Sequence, residues 1–279
     1  MRSKTPERDF RPEDLPATRP QLFWDVMRHQ MRMVVSTSFL VALFALPLFA
    51  VYLVFDVFIG AAYARGDDVN VIFSLFFYGV LIAIPCLVIL NIGLSGAYNV
   101  AQKISFGEGL LVNVAFYYGL KENWKKALLI SVINALSAAL ALLGSAFLSL
   151  YYQAFPIIVG IGIGLLVVQY LIIGVMLPYF FSQLCVYQNK VKATLRNSFL
   201  FALMKIPLNT ILFLLAPGLI IGLAMINNVT AYVAMAIFVF FNFIGVLLWN
   251  LYANRVFDQY INREHYPEYV NKGLAKKEN

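Results

Sequence analysis

Residues 127–189 read ALLISVINALSAALALLGSAFLSLYYQAFPIIVGIGIGLLVVQYLIIGVMLPYFFSQLCVYQN, with no Asp, Glu, Lys or Arg between Lys126 and Lys190. One helical crossing of a bilayer takes about 20 apolar residues. The stretch is too long for one crossing and fits two. The break falls at Tyr151-Tyr152-Gln153-Ala154-Phe155-Pro156, where a polar amide, aromatic rings and a proline meet. The stretch therefore reads as a transmembrane helical hairpin.

The same logic extends outward in both directions. Val34–Phe55 gives a first span with Pro47 inside it, where a proline predicts a kink. Asp56, Arg65, Asp67 and Asp68 then mark a water-exposed loop. A charge-free run, Val69–Gln102, holds the second span, with Pro85 inside it. A further charge-free block, Ile206–Asn254, divides at Asn227-Asn228 into spans five and six. The predicted fold is an all-α membrane protein of six transmembrane helices at about 34–55, 71–98, 127–150, 156–182, 206–226 and 230–253. They form one domain over 20–262, between a flexible tail at 1–19 and a second tail at 263–279. With 61% hydrophobic and 13% charged residues, the chain falls far below the roughly 25% charged content of a soluble domain.

Charge placement orients the bundle. Of the 21 Lys and Arg, only Arg65 falls in a loop on the side away from the termini. Loops rich in Lys and Arg stay in the cytoplasm, so both termini are expected there. The net charge of +7 is accordingly read as orientation and attraction to anionic headgroups rather than as a nucleic-acid surface. Cys86 and Cys185 lie in apolar runs and read as small buried hydrophobes, with neither disulfide nor metal spacing. The first twenty residues are charged and proline-rich and lack the apolar core of a signal peptide.

Between the spans lie amphipathic stretches. Leu22, Phe23, Val26, Met27 and Met31 recur at helical spacing opposite Asp25, Arg28, His29 and Arg32. Such a helix either lies in the membrane interface or packs on the protein. Ser105-Phe106-Gly107-Glu108 matches a capping box, opening a helix with Leu110, Leu111, Val114, Tyr117 and Tyr118 on one side. Val191, Leu195, Phe199 and Ala202 form a third stripe, with Lys192 and Arg196 beside it. The chain thus reads as three repeated units, each a cytoplasmic amphipathic helix plus a transmembrane hairpin, all in one orientation. A shift of about 84 residues lays Asn113 on Asn197 and Lys121 on Lys205. Close helix packing is expected from the small residues between Ala135 and Ser145 and from Gly160-x-x-x-Gly164.

Ionisable residues inside a membrane usually mark function, and none lies deep in a span. Gly93-Leu94-Ser95-Gly96 matches the nucleophile motif of rhomboid proteases, but a serine nucleophile needs a base within reach. The only histidines, His29 and His265, flank the membrane region. No enzyme, catalytic group, cofactor or metal site is expected. Asn91, Ser95 and Asn99, spaced by four, share a helix face. With Asn134, Asn242 and Asn250 they form a candidate polar seam, made either of interhelical hydrogen bonds or of a solute-contacting lining. Lys121, Lys125, Lys126, Lys192, Arg196 and Lys205 are candidates for contact with lipid headgroups or a partner protein.

Gly93-x-x-x-Ala97-Tyr98 followed by Gly107-Glu108, and the run Phe116-x-x-x-x-Lys121-Glu122-Asn123-Trp124-Lys125-Lys126-Ala127-Leu128 continuing to Ile130-Ser131-x-Ile133-Asn134, resemble the YesL-like family, domain of unknown function 624. The Asn197-Ser198 segment and the ending from Trp249 to Tyr260 are similar too. The long charged N-terminal tail and Gln102-Lys103 depart from the pattern. The resemblance implies a bacterial inner-membrane protein associated with carbohydrate importers of the ATP-binding cassette (ABC) type. An accessory role in sugar uptake or utilisation follows as the leading expectation, with the lipid bilayer and importer components, or self-association, as partners. The alternative is a permease or channel subunit that conducts a small solute itself. Against it, Lys192–Pro207 is basic where a permease would carry its Glu-Ala-Ala loop for the ATPase.

Overall fold

In a computed structural model, which describes residues 16–187 and 189–275, the backbone is almost entirely helical, with no strand among those residues. A short helix α1 (Arg19–His29) precedes α2 (Met31–Arg65) and α3 (Val69–Ser105). They are followed by α4 (Val112–Ser149), α5 (Pro156–Val186) and α6 (Val191–Met204). Span five is α7 (Ile206–Phe213), a π turn (Leu214–Gly218) and α8 (Leu219–Ile226). Span six is α9 (Asn228–Phe257), prolonged by a second π turn (Asp258–Asn262) and α10 (Arg263–His265). Six helices are long and apolar enough to cross a membrane, with mean hydropathy of 2.1 to 2.6 over their most apolar windows.

The hairpin at the centre of the sequence forms as expected. Helix α4 ends at Ser149, the chain turns through Leu150–Ala154, and Pro156 opens α5, where its missing N–H costs nothing. Asn227 caps α9: its carboxamide accepts from the Thr230 N–H at 2.9 Å, and the Thr230 hydroxyl accepts from the Asn227 N–H at 3.1 Å. Pro47 and Pro85 lie inside unbroken helices. The widened π turn falls at Pro217, where the ladder must accommodate a missing donor.

Three helices occupy the middle of the bundle. Helices α3, α5 and α9, the second arm of each hairpin, all touch one another. Outside them, α2 packs between α3 and α9, α4 between α3 and α5, and span five between α5 and α9. The described termini meet at one end, where the Ala275 N–H donates to the Pro16 carbonyl at 3.0 Å; this is called the terminal end below, and the opposite one the hairpin end. The core lies toward the terminal end. Most buried residues of α3 follow Leu90, of α5 follow Val175 and of α9 follow Asn242. Nearer the hairpin end the helices expose Leu, Ile, Val and Phe, as side chains facing lipid do.

Several local expectations change. Helix α2 runs past Asp56 to Arg65, because residues 57–64 are apolar and nothing there interrupts the ladder. The proposed capping box at Ser105–Glu108 instead closes α3. Gly107 sits at φ 68°, its N–H donates to Ile104 and the Glu108 N–H to Lys103. That is a glycine-terminated Schellman stop, and α4 begins later, at Val112. Helix α4 then runs without a break from its amphipathic start into span three. At 1.5 Å per residue its 38 residues measure about 57 Å, so its first turns project beyond a hydrocarbon layer of about 30 Å. The amphipathic helices α1 and α6, in contrast, are separate from the spans that follow them, broken at Gln30 and at Lys205.

Helix α1 packs on the protein, burying Leu22 and Val26. Helix α6 turns inward the face of Thr194, Ser198, Phe201 and Ala202, while Phe199 is exposed and Val191 and Leu195 are half-buried. Hydroxyls that bond back to their own helix, Thr194 to Lys190 and Ser198 to Thr194, make that face tolerable in a core. Helices α4 and α5 meet through Gly144 and Gly162, where an added Cβ would lie 2.8 Å from Leu166 and from Leu148 respectively. Gly160 and Gly164 have open space around them.

Candidate functional site

The three inner helices are joined near the terminal end by a closed set of buried amides and hydroxyls. Asn250 on α9 donates to the Gln102 Oε1 of α3 at 2.9 Å and to the Ser182 Oγ of α5 at 3.3 Å. Its own Oδ1 accepts from the Ser105 hydroxyl at 2.7 Å and from Asn254 at 3.1 Å. Gln102 and Asn254 bond each other in both directions, at 3.1 and 3.3 Å. Asn250 and Asn254 are one helical turn apart, so both reach the same neighbour. All five side chains are buried. Amides and hydroxyls do not titrate near neutral pH, so this cluster fixes helix positions and can offer donors and acceptors to a polar solute.

A cavity of about 360 Å³ opens beside this cluster, lined by Asn99, Gln102, Lys103, Glu108, Tyr118, Glu122, Cys185 and Lys272, among others. Its charges balance: two lysines face two glutamates. Glu108 holds both lysines, Lys103 at 3.4 Å and Lys272 at 3.6 Å. Below α9, Arg19 and Asp258 form a buried ion pair at 2.7 Å. Asp258 also accepts from Asn262 at 2.7 Å, and Asn262 in turn accepts from the Tyr187 hydroxyl. Burial, and then the nearby Asp258 carboxylate, push the Tyr187 phenol above its ordinary range, so it stays a neutral donor.

The candidate seam resolves into separate contacts. Asn91 donates to Asn134 at 3.1 Å, joining α3 to α4. Ser95 is buried but donates to the Ile92 carbonyl of its own helix. Asn99 donates to the Ala115 carbonyl at 2.7 Å and also borders the cavity. Asn242 donates to the Ser38 carbonyl of α2 at 2.9 Å, and Asn250 belongs to the cluster above. Around Ser95, an added Cβ at Gly93 would lie 2.6 Å from Phe44 and one at Gly96 2.9 Å from the Phe116 carbonyl; the glycines of this motif serve close packing. The basic candidates sit on the terminal-end surface. Lys121 and Lys125 are exposed on α4 with Lys126 half-buried, Lys192 and Arg196 are exposed on α6, and Lys205 lies at the α6–α7 break, 5.6 Å from the Tyr260 ring. Among the described residues none of these six forms an ion pair.

Sequence reasoning missed Gln102, Ser105, Ser182 and Asn254, and missed the Arg19–Asp258 pair. The four-residue spacing of Asn250 and Asn254 was an available signal. Gln102 and Ser105 looked like the frayed end of a span, Arg19 fell in the stretch read as a tail, and Asp258 lay beyond the last expected span.

The fold and the buried polar cluster define the class as a multi-pass helical membrane protein. No protein-family model, curated protein or solved structure matches the chain.

Proposed function

We propose that this protein is an accessory component of an ABC-type carbohydrate uptake or utilisation system in the bacterial cytoplasmic membrane, with both termini in the cytoplasm. The association with sugar import comes from the resemblance around Lys121–Asn134. The observation that favours an accessory part over a conducting one is the amide cluster of Gln102, Ser105, Ser182, Asn250 and Asn254. It ties the three inner helices together at one end, and between Asp68 and Lys103, Lys126 and Lys190, and Lys205 and Arg255 there is no ionisable Asp, Glu, Lys or Arg to line a path. We read the chain as three repeated units. The cyclic arrangement, in which the second arm of every hairpin lies inside and the first arm bridges to the preceding unit, supports that reading. The continuous α4 makes the middle unit differ from the other two.

The permease alternative rests on the cavity of about 360 Å³ at the terminal end. Affinity purification from membranes with identification of the captured chains separates the readings. A complete importer, permeases included, supports the accessory role. Stoichiometric capture of an ATPase subunit alone supports a permease, and absence of any importer component overturns both.

A further inference from the structure

The chain beyond span six does not trail away from the bundle. After α10 it makes a 3₁₀ turn (Pro267–Tyr269) and crosses back to the end of α3. Tyr266 stacks on Tyr269 at 5.8 Å, and Tyr269 lies 5.9 Å from Phe106. Asn271, at φ 54°, turns its N–H to the Asp258 carboxylate at 3.3 Å. Lys272 then places its ammonium 4.3 Å from the centre of the Phe106 ring, 5.3 Å from that of Tyr269 and 3.6 Å from Glu108. This is a cation held between two π faces and a carboxylate. Gly273, at φ 84°, presses so closely on α3 that a Cβ would fall 2.2 Å from the Ser105 carbonyl oxygen and 2.7 Å from the Phe106 backbone. No other residue fits there, for reasons of both conformation and space.

These contacts converge on one place. Ser105, whose backbone receives Gly273, donates its hydroxyl to Asn250 in the cluster that joins the inner helices. Tyr269 and Lys272 form part of the cavity wall, together with Gln102, Glu122 and Cys185. Asp258, which holds Asn271, also holds Arg19 of α1.

We propose that Tyr266–Leu274 is a latch that closes the charge-balanced cavity at the terminal end, with Lys272 and Gly273 as its seat. Releasing it exposes the buried Gln102 to water and opens the half-buried Cys185 further, and Arg19 with Asp258 couples its position to that of α1.

Cys185 reports the state of the latch. In the Cys86→Ser background Cys185 is the remaining thiol, and its rate of modification by a charged, water-soluble methanethiosulfonate is measured on purified protein in detergent. The closed latch gives slow modification. Gly273→Val, which cannot seat, and Lys272→Ala, which leaves Glu108 without its second lysine, are expected to raise the rate by at least tenfold and by a few-fold respectively. Each variant is first shown to be monodisperse by size exclusion. A chain ending at His265 gives the same comparison should Gly273→Val not be recovered folded. Unchanged rates in folded variants, or a parent rate as fast as that in SDS, would overturn the latch.

Discussion

Two asparagines on the last span allow a sharp test of the cluster. Asn242 and Asn250 lie eight residues apart on α9 and look equivalent by type and position, yet their surroundings differ. Asn250 makes four hydrogen bonds, to Gln102, Ser105, Ser182 and Asn254. Interhelical hydrogen bonds in membrane proteins average about 0.6 kcal/mol, and three of the four reach another helix, so Asn250→Leu forfeits about 1.8 kcal/mol from them. It also strands the Ser105 hydroxyl, and a buried group without a partner adds about 1–3 kcal/mol. Gln102 keeps Asn254 as a donor, so the total stays at about 3–5 kcal/mol. Asn242 makes one bond to another helix, through Ser38, and its Oδ1 has no partner among the described residues. Asn242→Leu therefore costs about 0.6 kcal/mol, offset by removal of the unsatisfied oxygen. Both variants are unfolded in mixed micelles of a mild detergent and SDS, followed by tryptophan fluorescence; Trp249 sits beside the cluster. If Asn242→Leu costs as much as Asn250→Leu, the cluster does not hold the inner helices together and the reasoning fails.

Glycine substitutions separate packing from lipid exposure. A Cβ at Gly119 would lie 2.4 Å from that of Asn99, so Gly119→Ala is expected to cost about 1–3 kcal/mol in the same unfolding measurement. Gly164→Ala, in open space, is expected to be neutral or stabilising by up to about 1 kcal/mol, and a cost equal to that of Gly119→Ala would refute the open surroundings assigned to Gly164. Asp258→Ala leaves Arg19 buried without its partner and is expected to weaken docking of α1 by about 3–5 kcal/mol, seen as faster proteolysis at Arg28. The double variant Arg19→Met with Asp258→Leu should restore protection, and no recovery would show that the pair acts otherwise. For orientation, a reporter active only outside the cytoplasm should give signal when fused at Asp67, Gln153 or Asn227 and none at Lys103, Lys192 or Lys272. One reversal would break the six-span topology.

What the sequence determines by itself is the set of crossings. A charge inside hydrocarbon costs several kcal/mol, so long charge-free runs broken by Gln153-Ala154-Phe155-Pro156 or Asn227-Asn228 can be read as spans one residue at a time. The side proposed for each loop likewise rests on local charge alone. Partnership does not, because the cost of a buried amide depends on what lies across a helix interface and not on its neighbours in sequence. Gln102 and Asn254 are 152 residues apart, and Arg19 and Asp258 are 239 apart. Neither member of either pair carries a local sign of the other. The same holds for small residues: Gly162 and Gly164 are alike in sequence, and only the rotation of α5 against α4 sets one in contact and the other in lipid. Gly273 reads as an ordinary tail residue until the chain folds back and leaves no room there for a side chain. Transfer free energy is a property of each segment, which is why the spans are legible. Complementarity between segments exists only once the bundle has formed, and it alone places the amide cluster, the cavity and the segment that covers it.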